Sequence, residues 1–264
     1  MTIGKGIRRT SIFRRSTGRT VIVALDHGGI AGPIAGIERP AEVVRACREG
    51  GADAILATRG VLNASEGEWD RSMSVILRLT GGFTVLGGKF EEEVISSPEA
   101  ALALGAAAVA VTVKFGHERE GEFTRQASFV ADSCDRWGLP LLIEAMAKAK
   151  DLKASDPRGV SLAARAAQEI GADIVKTYYT GDQESFRKVV DGCPVPIVIL
   201  GGEKSDTLEA VFRDVHDSLE AGAKGIAIGR NIWQHGKTKA MVEAMVGLVH
   251  ENWTTAQAMA HVGS

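Results

Sequence analysis

The sequence predicts an α/β fold, a single (β/α)8 TIM barrel spanning its 264 residues. Three observations lead there. Eight short, nearly continuous apolar runs alternate with amphipathic segments, the pattern of parallel strands buried on both faces. Alternate runs are entered through Gly-Ala, at Gly51-Ala52, Gly105-Ala106, Gly171-Ala172 and Gly222-Ala223. No G-x-G-x-x-G follows the first run, which disfavours the competing doubly wound sheet. Eight βα units on a chain of this length close into a barrel.

Strands are expected over 20–25, 53–58, 74–79, 107–113, 141–145, 173–176, 197–200 and 225–228. Before the second, fourth, sixth and eighth, glycine ends the preceding helix in a left-handed conformation, and the small alanine lets the chain turn into the strand. The fifth and seventh are entered through Pro140 and Pro196, where no ladder bond is lost. Helical periodicity covers 41–48, 125–136, 161–170 and 207–219. Pro40 and Pro98 sit where helices should begin, and Ser205-Asp206 is an N-cap candidate. Residues 1–19 carry Lys5, Arg8, Arg9, Arg14, Arg15 and Arg19 without an acidic partner, which predicts a docked, solvated arm. The chain reads as one domain, 1–264, with that arm at its start.

Composition narrows the function. A formal net charge of -2 gives no reason to expect a nucleic-acid partner, and 45% apolar content suits a sizeable core. The longest near-apolar stretch, 100–113, is too short to span a bilayer, and no apolar h-region follows the basic start. No membrane partner is expected. Cys47, Cys134 and Cys193 are odd in number and widely spaced, as reduced thiols of a cytoplasmic protein are.

Chemistry in a barrel sits at the carboxyl ends of the strands. Those ends carry Asp26 and His27, Thr58 and Arg59, Arg78 and Thr80, Lys114, Glu144 and Met146, Lys176 and Tyr178, Gly201-Gly202, and Gly229-Arg230. Lys176 closes the run Ala172-Asp173-Ile174-Val175. Burial there strips hydration from an ammonium and favours a free amine, which attacks carbonyls to form a Schiff base. The plainer alternative is a snorkelling or salt-bridged lysine. Glu144 interrupts the apolar fifth strand and needs a cation, with Lys114, Lys148 and Lys176 as candidates. Acid–base work and a structural ion pair are both open for it. Asp26 either faces the lysine and moves protons or caps its own loop. Glycines at 201, 202 and 229 let backbone N–H groups approach an anion, a helix starting near Asn231 points its positive end there, and Arg230 adds a bidentate contact. Tight turns alone are the competing account of those glycines. His27 has no second ligand at metal spacing, so no metal site is expected. With Lys114 it joins the substrate- or phosphate-binding candidates. His117, His216, His235, His250 and His261 carry no expectation.

Four motifs, VIVALDHGGIAGPIAGIE, ADIVKTYYTGD, CPVPIVILGGEK and GIAIGRNIWQ, occur in that order across most of the chain. Together they resemble the class I, Schiff-base aldolases of the archaeal-type fructose-bisphosphate aldolase family. That family also contains the dideoxy-heptulosonate synthases and the thiolase acting on phosphorylated autoinducer-2. The resemblance implies a (β/α)8 barrel with Lys176 as the imine-forming nucleophile and Asp26 contacting substrate or imine. It also implies a phosphate site at Gly201, Gly202, Gly229 and Arg230, no metal and no cofactor, and a homo-oligomer such as a ring or decamer. One departure stands out. The aldolases and heptulosonate synthases resemble each other in a proton-transferring tyrosine followed by Pro-Arg-Gly after the fifth strand. Here Met146 holds that place, followed by Ala147-Lys148-Ala149-Lys150-Asp151. A thioether moves no proton, which leaves Glu144, Tyr178 or a bound water for the task. Around Arg78-Leu79-Thr80-Gly81-Gly82, Lys150-Asp151 and Lys176-Thr177-Tyr178-Tyr179 the chain is closer to the thiolase branch.

The expected activity is metal-independent C–C cleavage of a small phosphorylated sugar or ketone, releasing or using a dihydroxyacetone-phosphate-like fragment. Two alternatives stand beside it. One is thiolase-type acetyl transfer from a phosphorylated diketone to coenzyme A, the only case needing that cofactor. The other is a non-catalytic phosphosugar-binding barrel.

Overall fold

Eight parallel strands close into a barrel in the computed structural model, which describes residues 2–87, 91–202 and 207–263. They are β1 Thr20–Leu25, β2 Ala54–Ala57, β3 Ser74–Arg78, β4 Ala108–Phe115, β5 Leu141–Ala147, β6 Ile174–Thr177, β7 Ile197–Leu200 and β8 Gly225–Ile228. Each pairs with its neighbours in sequence, and β8 closes onto β1 with Gly225 opposite Thr20. The predicted barrel is the observed one. β4 and β5 run further than expected because they stay paired through Lys114 opposite Met146 and Phe115 opposite Ala147. Lys114 and Met146 therefore lie inside strands.

The predicted helical segments correspond to α2 Pro40–Glu49, α3 Glu120–Trp137, α4 Pro157–Ile170 and α5 Leu208–Glu220, the last starting one residue later than expected, and they follow a first helix, α1 Ile3–Ile12. A further helix, α6 Thr238–His250, follows the last strand and packs against β1. Pro40 and Pro98 each open a helix, as expected. Ser205-Asp206 lies outside the described residues. The cap of α5 is Thr207, whose hydroxyl accepts from the Ala210 N–H at 3.3 Å. Gly51, Gly105, Gly171 and Gly222 all take positive φ, so the Gly-Ala signal reports the turn it was read as.

Strand alternation divides the core. Ile22, Ala24, Leu56, Ile76, Ala110, Leu142, Ile174 and Val198 point into the barrel, while their neighbours such as Val21, Val23, Ile55, Val111 and Ile143 pack under the helices. Counting on by twos along the inward face reaches Asp26, Arg78, Thr112, Glu144 and Lys176. The period that buries the core also delivers five polar side chains to one layer at its top.

The basic arm is docked, as expected, but its solvation is a correction. Residues 3–12 form α1, and Ile12 and Phe13 pack into the barrel-interior cluster. Lys5 is buried, with its ammonium 2.5 Å from Asp135 and 2.8 Å from Asp173. Arg8 donates to the Gly138 carbonyl at 2.9 Å, and Arg14 Nε donates to Asp53 at 2.5 Å. The acids missing from the local sequence are supplied by α3 and by residues just ahead of β2 and β6, so the arm closes the floor of the barrel.

The junction of β8 with β1 is the tightest point. Gly225 has φ of 135°, and a Cβ there would lie 1.9 Å from the Thr20 carbonyl oxygen. Gly225→Ala is expected to destabilise the protein by on the order of 2–3 kcal/mol through strain at a special backbone position. Thermal unfolding checks this, and an unchanged melting temperature would contradict it. Cys47, Cys134 and Cys193 are free and buried. Among the described residues no helix is long and apolar enough to cross a membrane.

Candidate active site

Five strands meet in one buried ionic network at the top of the barrel. Arg78, at the end of β3, is its hub. Its Nε donates to Asp26 Oδ2 at 2.8 Å, its Nη1 to Thr112 Oγ1 at 2.5 Å and its Nη2 to Glu144 Oε2 at 2.5 Å. Across β5 and β6, Glu144 and Lys176 are register partners, and the Lys176 ammonium lies 2.9 Å from Glu144 Oε1. His27 Nδ1 lies 3.2 Å from Asp26 Oδ1, and its ring packs edge-on against Trp233. Arg78 Nη1 also lies 3.9 Å from Glu92, which accepts a short hydrogen bond from Thr80.

Burial opposes ionisation of both carboxyls, and the cations overrule it. Burial alone pushes Glu144 up, but Lys176 and Arg78 bring it down to about 2. Asp26 is likewise pushed up by burial and then held well below the usual carboxylate range, by Arg78 first and then by His27 and Lys176. At neutral pH both are carboxylates. Each can accept a proton or face a cation, and neither has a proton to donate.

This has a consequence for stability. A carboxyl depressed in the folded state stabilises the fold fully above its unfolded value, and that stability is lost as pH falls through the folded value. For Glu144 the window runs from about 4.5 down to about 2. The melting temperature should fall across it, and Glu144→Gln should flatten that slope. Equal slopes in the two proteins would contradict the ion-pair account.

A cavity of about 300 Å³ opens above this network. Lys176, Asp26, Glu144, Tyr178, His27, Gly201, Gly202, Gly229 and Arg230 all line it, so nine of the sequence candidates share one space. Met146 lines it too, and a thioether faces the cavity at that position. Arg230 is tied across the loops after β7 and β8, its Nη2 donating to the Gly202 carbonyl at 2.7 Å while its buried Nε has no protein partner. Asn231 Nδ2 donates to the Gly201 carbonyl at 3.0 Å. The helix expected near Asn231 is the single turn Arg230–Trp233. Close packing also demands two of the glycines. A Cβ at Gly201 would sit 2.7 Å from Ile228, and one at Gly229 would sit 2.4 Å from the Ala24 carbonyl.

Lys114 is the exception. It is not among the residues lining the cavity, and its ammonium lies 5.8 Å from the ring centres of both Phe83 and Phe123. Burial brings its ammonium down to about 8 against the pull of Glu92. The charged partners of Glu144 are thus Lys176, one of the three candidates the sequence offers, and Arg78, which the sequence marks only as a strand-end residue. Two signals pointed to Arg78. It shares the inward parity of Ile76, and two buried carboxylates require more than one cation.

A model of the family described as DeoC/LacD family aldolase matches residues 20–235. The chain belongs to the DeoC/LacD family of aldolases. It is an enzyme of the Schiff-base class, in which the imine does the electrophilic work and no metal is required. The chain is 38% identical to a 3-hydroxy-5-phosphonooxypentane-2,4-dione thiolase of Enterobacter sp. (strain 638), over 97% of this chain and 84% of that one. It is 32% identical to a 2-amino-4,5-dihydroxy-6-oxo-7-(phosphonooxy)heptanoate synthase of Streptomyces griseus, over 98% and 95%. An archaeal fructose-1,6-bisphosphate aldolase, solved with its catalytic lysine covalently bound to the carbinolamine intermediate of its substrate, superposes with a TM-score of 0.84. The identity there is 32%, over 93% of this chain and 99% of that one.

Proposed function

We propose that this aldolase-family enzyme cleaves, or forms, a C–C bond in a phosphorylated ketose through an imine on Lys176. One observation carries the reading. A buried lysine paired with a carboxylate shares its cavity with an arginine whose buried Nε has no protein partner. Arg230 and the loops holding Gly201, Gly202 and Gly229 anchor the substrate phosphate, with His27 beside them, and that binding energy places the carbonyl at the amine.

The cycle follows from the charges. The Lys176 ammonium gives up a proton to solvent and the free amine adds to the substrate carbonyl. A proton returned from solvent to the carbinolamine hydroxyl lets it leave as water, giving a protonated imine, which Glu144 and Asp26 face as carboxylates. Asp26 accepts the proton of the substrate hydroxyl as the C–C bond breaks. The bonding pair flows into the imine nitrogen to give an enamine, and the aldehyde leaves. Protonation of the enamine carbon and addition of water then release the ketone and the amine. Tyr178 supplies at the cavity wall the hydroxyl that Met146 lacks, and it serves this last proton transfer.

The second reading is favoured by Met146 and by the 38% identity to the dione thiolase. The thiol of coenzyme A, giving its proton to Asp26, adds to the second carbonyl of a phosphorylated diketone held as its Lys176 imine. The C–C bonding pair flows into the imine to give an enamine, and the acetyl group leaves on sulfur. An assay panel of phosphorylated ketoses and diketones, run with and without coenzyme A, separates the two. Aldehyde release without coenzyme A supports the aldolase, and acetyl-coenzyme A formation supports the thiolase. We further place the chain in the cytoplasm as one domain that assembles into a homo-oligomer. The free buried cysteines and the exposed Ile3, Ile7, Phe129, Trp137 and Leu162 support this.

A further inference from the structure

We infer that Arg78 is a positioning residue that keeps Asp26 and Glu144 ionised while Lys176 loses and regains its charge. The inference rests on the imine reading above. Asp26 Oδ2 and Glu144 Oε2 lie on the same guanidinium nitrogen, at 2.7 and 2.5 Å. Two carboxylates sharing a site in this way cannot both stay charged without a cation between them. Lys176 cannot be that cation throughout, because its nitrogen is neutral as it attacks and neutral again in the carbinolamine. The remaining charged groups are no substitute. His27 reaches only the far oxygen of Asp26, Arg230 is held by the Gly202 carbonyl, Glu92 adds a third carboxylate at 3.9 Å, and Lys114 lies beside Phe83 and Phe123.

An arginine meets the requirement on two counts. Its guanidinium does not deprotonate in proteins, and its fork reaches two acceptors at fixed angles. Thr112 holds the third edge of that fork, and the Thr112 N–H is itself fixed by Thr80 Oγ1 at 3.2 Å. Arg78 thus binds both carboxylates before substrate arrives, and the protonated imine forms opposite an anionic wall already in place.

The test follows the rate at which dihydroxyacetone phosphate and cyanoborohydride label Lys176, read by peptide mass at a series of pH values. In the wild type the acid side of the profile should lie low. In Arg78→Met it should move up by about one pH unit or more, because an adjacent arginine depresses a carboxyl by that much. Arg78→Lys should fall between, since one ammonium cannot bridge both acceptors. Arg78→Met leaves buried carboxylates unpaired and threatens folding, so the double variant Arg78→Met/Glu144→Gln is measured beside it. With one carboxyl of the pair removed, its profile should return toward the wild-type position even if its rate is low. A folded Arg78→Met with the wild-type profile, or a double variant shifted as far as the single, overturns the inference and leaves the imine reading intact. No label on wild-type Lys176 overturns both.

Discussion

Lys176→Met should abolish turnover, with kcat/KM falling at least about 10³-fold, as when an enzyme loses its nucleophile. The fold should survive. Glu144 keeps its 2.5 Å bond to Arg78 when Lys176 is gone, so no buried carboxylate is stranded. Lys176→Arg should be as inactive as the methionine variant. A guanidinium retains the charge facing Glu144 but offers no free amine at accessible pH. Steady-state kinetics on the substrate found by the assay panel, with circular dichroism to verify folding, checks both. Activity within tenfold of wild type in either variant would mean that another group carries the chemistry.

Glu144→Ala should have the largest effect on stability. It removes the acceptor shared by Arg78 and Lys176 and leaves two cations facing each other in a buried layer. Breaking one side of a buried pair costs about 3–5 kcal/mol. In a chain of this size that lowers the melting temperature by roughly 10 °C. Glu144→Gln should cost less, because its amide oxygen still accepts a hydrogen bond from one of the two cations. A Glu144→Ala variant melting with the wild type would show that the network is solvated, contrary to the burial of Asp26, Thr112 and Lys176 within it.

The fold was legible because the parallel barrel writes itself as apolar runs at regular spacing, and because Gly-Ala marks where alternate strands begin. What escaped was set by partners distant in sequence. Residues 3–12 look solvated since no acid accompanies their basic residues, yet Lys5 is matched by Asp135 and Asp173. The sequence reads the ends of β4 and β5 short because a lysine and an alanine-rich stretch do not announce a strand, and only their mutual pairing extends them. In the site, Lys176 could be singled out as an amine without reason to be exposed, and Glu144 as a carboxylate in need of a cation. Arg78 was visible but had no assigned partner, because three carboxylates from three segments become neighbours only when the barrel closes. Lys114 misled for the opposite reason. Its strand position is right, but its ammonium lies beside aromatic rings that come from elsewhere in the chain.

The imine on Lys176 is the claim on which the remaining chemistry depends. Dihydroxyacetone phosphate with borohydride, followed by digestion and mass analysis of the intact chain and its peptides, addresses it without knowledge of the natural substrate. The expected result is a single reduced adduct per chain, located on Lys176 and absent from Lys176→Met. Wild-type protein that stays unlabelled, or that carries its adduct on Lys114, Lys148 or a surface lysine, would contradict it.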